Sequence, residues 1–217
     1  MWIQINMIKL GEELDCNHIF ANNKKIVVQK NKYFPIEYNQ KYFDHYKFLE
    51  TTKRGESITN ERIDLVKKYS SETVLDIGIG CGSFVSKMKS NTYGYDVNQV
   101  GINWLKEKKI FLNPYEENTS HIKCWTFWDV LEHLPDPDII LNIIKPLDFL
   151  FISIPIFIDF EKLTTNKHFK PNEHFLYFTN EGLIDYLREM NFELLHSDDV
   201  EIKLGRENII RYVFRKI

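Results

Sequence analysis

The chain has 217 residues, 43% hydrophobic and 14% aromatic, enough for one core with an appendage or two small domains. Its net charge of −3 gives no global electrostatic footprint for nucleic acid or an anionic membrane. No apolar run approaches the ~20 residues of a membrane span, and the start "MWIQINMIKLGEELDCNH" lacks a signal peptide's basic head and apolar block. The scattered Cys16, Cys81 and Cys124 fit a reduced, cytoplasmic setting and offer no zinc knuckle, so no metal site is expected.

In chain order, "KKIVVQK" reads as a short strand and "YNQKYFDHYKFLETT" as an aromatic helix ending before Gly55. "TNERIDLVKKYS" offers Thr59 or Asn60 as a helix cap, with Ile63, Val66 and Tyr69 at helical spacing. From residue 73 strands and helices alternate: "TVLDIG", then "SFVSKMKS", then "TYGYD". The helix "QVGINWLKEKK" follows, with Val100, Trp104 and Leu105 on one side, and "SHIKCWTFW" is another strand. "PDIILNIIKP" spans a helix from Pro137 to Pro146, and "DFLFISIPIF" is apolar throughout, as in a strand covered on both faces. "TNEGLIDYLREMNF" is a helix capped by Thr179. "ELLHSDDVEIKL" and "NIIRYVFRKI" read as two strands with no helix between them. Such alternation implies a parallel α/β sheet with right-handed crossovers, closed here by an antiparallel hairpin.

The run "TVLDIGIGCGSF" places Gly78, Gly80 and Gly82 after a buried strand. A Walker phosphate loop needs Lys then Ser or Thr after its last glycine, whereas Ser83 and Phe84 follow here. A dinucleotide fingerprint counted from Gly78 needs its third glycine where Ser83 stands. Asp76 at the mouth of the strand would repel a pyrophosphate and attract an amino group and a sulfonium. Asp96, 18 residues beyond Gly78 at the end of the second strand, can accept hydrogen bonds from both hydroxyls of a ribose. The loop and Asp96 together point to a cationic, adenosine-bearing ligand without phosphate.

On these residues the sequence resembles the class I S-adenosylmethionine-dependent methyltransferases. "VLDIGIGCG" is similar to their first motif, "GYD" to their second, and "FWDVLEHLPDP" to the segment after the fourth strand in the branch with ubiquinone-type and other small-molecule enzymes. A "KHF-x-x-x-EHF-x-YFT" stretch resembles a subgroup carried by phages and bacteria. The resemblance covers about residues 59–217 and implies a Rossmann-like fold: a doubly wound, mostly parallel seven-stranded sheet with an antiparallel C-terminal hairpin. Residues 1–58 are then an aromatic and basic cap segment, and 59–217 the S-adenosyl-L-methionine-binding domain. The likeness implies that Asp76, Gly78, Gly80 and Gly82 surround the methionine part of this cofactor and Asp96 holds the ribose. Val97 would pack on the adenine, with Trp128 a wall of the site. The acidic adenine contact usual after the third strand is missing, so Asn113, Glu116, Glu117 or a backbone group must serve.

Methyl transfer from a sulfonium is an in-line displacement that depends mostly on alignment, and a base is needed only for a hydroxyl or protonated amine. Asp129, His133 and His174 are the candidate catalytic residues, with Glu132 and His168 nearby. On a helix the adjacent Glu132 and His133 diverge by about 100° and cannot both face a substrate. Cys81 is read as a small loop residue. Residues 24–48 hold six lysines, two acids and seven aromatics, either a stacking platform for nucleic acid or a helix covering the site. No Asn- or Asp-Pro-Pro-Tyr/Phe-type motif follows the fourth strand, which disfavours amino-methylation of DNA. The expected function is methyl transfer to an oxygen or nitrogen of a small molecule, without a membrane. The alternatives are a nucleic-acid or protein modifier docking through residues 24–48, and a non-catalytic cofactor-binding sensor or subunit.

Overall fold

The structure, a computed structural model, describes residues 10–14, 18–30, 37–89 and 91–217. In chain order it contains β1 (Leu10–Glu13), β2 (His18–Ala21), β3 (Ile26–Gln29), α1 (Gln40–Glu50), α2 (Lys53–Tyr69), β4 (Val74–Ile77), α3 (Ser83–Met88) and β5 (Thr92–Tyr95). Next come α4 (Gln99–Glu107), β6 (Cys124–Trp128), α5 (Pro137–Leu141), β7 (Phe149–Phe157), β8 (Leu176–Thr179), α6 (Asn180–Glu189), β9 (Phe192–Asp198), α7 (Val200–Lys203) and β10 (Ile209–Lys216). Among the described residues no helix is long and apolar enough to cross a membrane.

The parallel strands run β5-β4-β6-β7, and β10 pairs antiparallel with both β7 and β9. Their side chains alternate across the sheet. Leu75, Ile77, Trp125 and Phe127 meet Ile140 of α5 and Leu183 of α6, while Val74, Cys124 and Phe151 meet Ile63, Val85 and Leu105 on the other face. Both faces are thus covered, which is why the strands read as apolar runs.

Three expectations are corrected. The seventh strand is reduced to a parallel bridge between Gly94 and Phe111. Ile110 and Leu112 bond to Gly94, but Pro114 two residues on has no N–H to extend the ladder. The sheet instead grows elsewhere: β8 pairs with the end of β7, and β3, β2 and β1 add antiparallel strands beyond it. Helix α2 starts at Lys53 under a Thr52 cap, not at residue 59 or 60. Thr59 is buried inside it and donates to Glu50 at 2.6 Å, tying α2 to α1. Finally, α7 interrupts the stretch read as uninterrupted strand. Asp198 ends β9 by accepting the Val200 N–H at 3.1 Å, and the turn carries Glu201 into the interior. The Thr179 cap is as expected, accepting from the Gly182 N–H at 3.0 Å.

Candidate active site

A cavity of about 620 Å³ opens at the carboxyl ends of β4, β5 and β6, where ligands of open α/β sheets bind. One half is built by the glycine loop. Gly78, Gly80 and Gly82 all take positive φ, 73°, 56° and 78°. A Cβ on Gly82 would lie 2.6 Å from the Trp104 ring, whereas one on Gly80 would meet nothing within 4 Å and would project into open space. Register pairs Asp76 with Thr126 across β4 and β6, and the Thr126 hydroxyl donates to Asp76 at 2.6 Å. Burial pushes the Asp76 carboxyl up to about 8, against that hydrogen bond and the charge of Arg62. Asp96 accepts the Asn98 N–H at 2.8 Å. Burial also raises Asp96, opposed by the backbone N–H groups of Asn98, Val97, Gly80 and Ile79. Val97 is 70% exposed at the rim.

The other half comes from distant segments. Tyr38, Tyr42 and Tyr46 form a ladder with ring centroids 5.0 and 4.8 Å apart, and all three line the cavity. Arg62 of α2 lies 5.0 Å over the Trp128 ring and donates to Asp129, Ser153 and Glu201. Asp129 adopts φ 60° just past β6 and also accepts two bonds from Arg206 at 2.9 Å. Burial would raise the Asp129 carboxyl, but the Arg206 and Arg62 guanidiniums outweigh it and hold the group well below the usual carboxylate range. Such a carboxylate is a weak proton acceptor.

Glu132 and His133 sit in a single 3₁₀ turn, Leu131–His133. Both line the cavity, which corrects the expectation that only one of them can face it: the pocket wraps around this single turn. The segment before β8 brings His174 against them, its ring perpendicular to His133 at 4.6 Å. Burial first, then the neighbouring Asp129 charge, raises Glu132 well above the ordinary range. Burial first, then His133, lowers His174 to about 2, so its ring is neutral. His168 contacts the Glu207 carbonyl at 2.6 Å, and burial lowers its pKa.

A protein-family model described as a methyltransferase domain matches residues 39–197. The chain belongs to this methyltransferase family. Its fold is shared with a possible histamine N-methyltransferase from Thermotoga maritima, at 16% identity, covering 82% of this chain and 97% of that one, TM-score 0.59. It is also shared with the Burkholderia thailandensis 1,6-didemethyltoxoflavin-N1-methyltransferase bound to its acceptor and S-adenosylhomocysteine, at 14% identity, 96% and 99% coverage, TM-score 0.56. The [4+2]-cyclase SpnF is similar too, at 14% identity, 75% of this chain and 80% of that one, TM-score 0.55. No curated protein matches the chain at a significant level.

The Burkholderia structure holds S-adenosylhomocysteine, and the motifs of this chain imply S-adenosyl-L-methionine as the cofactor. The site fits that group: open space above Gly80, a buried carboxylate at Asp96 and an exposed apolar Val97 converge on one cavity. Of the residues singled out from sequence, Asp76, Gly78, Gly80, Asp96, Val97, Trp128, Asp129, His133 and His174 all line it. Asn113 does not. Its Oδ1 accepts the Tyr115 N–H at 3.1 Å and its own N–H donates to Glu117, so it shapes the loop. Tyr115, edge-on to Tyr95 at 5.5 Å, lines the cavity in its place. Sequence reasoning also missed Arg62 and Arg206, which carry no motif. The i, i+4 spacing of Tyr38, Tyr42 and Tyr46 was the one signal for the ladder.

Proposed function

We propose that the chain transfers a methyl group to an oxygen or nitrogen of a small molecule held between the tyrosine ladder and the Glu132–His133–His174 wall. When bound, S-adenosyl-L-methionine supplies a methyl group on a positively charged sulfur. In this reading Asp96 accepts the ribose hydroxyls, Val97 and Tyr115 flank the adenine, and Gly78, Gly80 and Gly82 let the chain pass close to the methionine part. Asp76 faces the cationic end, and Trp128 forms the wall between donor and acceptor. Glu132, His133 and His174 are the groups placed to manage an acceptor's proton. Tyr38 and helix α1 act as the cap of residues 1–58, while β1–β3 belong to the sheet of the binding domain. The unpaired thiols of Cys81 and Cys124 support a reducing, cytoplasmic setting.

The observation that carries this reading is one cavity holding both the glycine loop and the convergent polar groups. Held within it, two reactants gain alignment worth about 7–11 kcal/mol in well-oriented systems. Tyr38, Tyr42 and Tyr46 face this cavity, which supports a cap over the site more than an outward stacking platform; residues 31–36 of the 24–48 stretch lie outside the described residues. The test is radiolabel transfer from S-adenosyl-L-methionine to metabolite, nucleic-acid and protein fractions. Label in metabolites alone is expected. Label confined to RNA or DNA would favour the docking alternative, and cofactor binding without transfer to any fraction would favour a sensor.

A further inference from the structure

We infer that Glu132, His133 and His174 form a binding site for a divalent cation of the zinc type, set in the acceptor wall of the cavity. One ligand atom from each residue lies within 4.8 Å of the other two. Donors around a tetrahedral ion at about 2.0–2.2 Å stand roughly 3.4 Å apart, so small side-chain rotations close the shell.

Two independent details favour a cation there. The Glu132 Oε2 is buried without a hydrogen-bond partner among the described residues, in a side chain only 2% exposed. A polar atom left so carries its full desolvation cost, which a bound cation removes. The nearby cations do not serve it: Arg62 and Arg206 are committed to Asp129 and Glu201, and Lys170 pairs with Glu173. Next, His133 Nδ1 lies 3.1 Å from the Glu173 carbonyl oxygen. A carbonyl only accepts, so Nδ1 carries the proton and Nε2 the lone pair, the arrangement that orients a metal-binding imidazole from behind.

Two imidazole nitrogens and one carboxylate oxygen suit zinc and its first-row neighbours better than magnesium or calcium, which favour oxygen shells, or copper(I), which favours sulfur. Three protein ligands leave at least one position open toward the cavity. That position selects an acceptor that can offer an oxygen, and a hydroxyl bound there loses its proton to water at lower pH than free in solution. The acceptor is therefore a hydroxyl compound. This last step rests on the methyl-transfer reading; the cation site itself does not. The absence of paired cysteines, which argued against zinc in the sequence, does not bear on a histidine–carboxylate site.

The test uses the whole chain, stripped with a chelator and titrated with Co²⁺. One equivalent should bring visible d–d absorption, displaced by Zn²⁺, and Zn²⁺ should raise the melting temperature. Glu132→Gln and His174→Ala should each weaken binding by more than about 100-fold, since even outer-shell losses cost 10–100-fold. Circular dichroism checks their fold, and His133→Ala provides a third variant if one fails to fold. Acetohydroxamate, an oxygen chelator, should shift the Co²⁺ spectrum through the open position. Absent or non-stoichiometric binding, or binding unchanged in the variants, overturns the site; a spectrum indifferent to acetohydroxamate overturns the hydroxyl acceptor. Asp96→Ala should keep the Co²⁺ spectrum while losing S-adenosyl-L-methionine. Loss of cofactor binding by the parent chain with the spectrum intact would sink the methyl-transfer reading alone.

Discussion

The two halves of the cavity are built in different ways. The donor half is local: Asp76 to Asp96 spans one βαβ turn, and its shape is set by backbone, three glycines at positive φ and a carboxylate held by N–H groups. The acceptor half is assembled from α1, α2, the 3₁₀ turn after β6, the segment before β8 and the α7–β10 turn. It is held by side chains, foremost the ion-pair network of Arg62, Arg206, Asp129 and Glu201. Damage to the donor half should therefore remove a ligand, and damage to the acceptor half should loosen the fold.

The largest effect should follow from Arg62→Ala. It leaves Glu201, which is fully buried, and Asp129 with one guanidinium between them. Breaking a buried pair by removing one partner costs about 3–5 kcal/mol, and each kcal/mol lowers Tm by about 2–4 °C in a chain of this size. A melting shift below 3 °C would show that the acceptor half does not depend on this network.

Asp96→Ala comes next and should do the opposite, leaving Tm nearly unchanged and removing the cofactor. Hydrogen bonds to a charged group are worth about 1.5–3 kcal/mol each, so losing one or both weakens binding by roughly 10- to 10⁴-fold. Calorimetry with S-adenosyl-L-methionine and its demethylated product reads this directly, and near-normal binding would remove Asp96 from the ribose site.

This contrast also explains what could be read from the sequence. Gly78, Gly80, Gly82 and Asp96 were legible because backbone geometry and a fixed crossover length place them, whatever the rest of the chain does. The Thr179 cap was legible for the same local reason. Arg62 was not: a single arginine on a helix looks like a solvated charge until the sheet brings Trp128, Asp129 and Glu201 to it. Glu132 and His133 were misread because the cavity wraps around their single turn, so that side chains pointing apart both reach it. The seventh strand was lost to Pro114, a local signal that was available, while the β1–β3 extension depends on β8, whose pairing no periodicity reveals.

A smaller effect should come from Gly82→Ala. Its φ of 78° and the 2.6 Å approach to Trp104 strain any side chain there. Strained backbone of this kind costs about 1–3 kcal/mol, so both Tm and cofactor affinity should fall. Equal losses at Gly80→Ala, where the Cβ finds open space, would instead mark backbone conformation as the whole cost.

The finest separation of the two halves lies in the pH dependence of Asp76. Burial lifts this carboxyl from an ordinary 3.8 to about 8, so at neutral pH the ligand-free group is mostly protonated. A cationic ligand end favours the ionised form, so binding must release a proton below pH 8. Affinity should rise about tenfold per pH unit from pH 6 to 8, since one unit is 1.36 kcal/mol, and level off above. Stability runs the other way. The folded value lies above the unfolded one, so the group's contribution is complete below pH 4 and is lost as pH rises through 8. Asp76→Asn should therefore flatten the affinity profile while making the free protein relatively more stable above pH 8. A ligand affinity that changes equally with pH in Asp76→Asn would assign the proton to the ligand's own amine. Coupled loss of stability and affinity with rising pH in the unsubstituted chain would place Asp76 with the side-chain-built half, as part of the framework and not of the cradle.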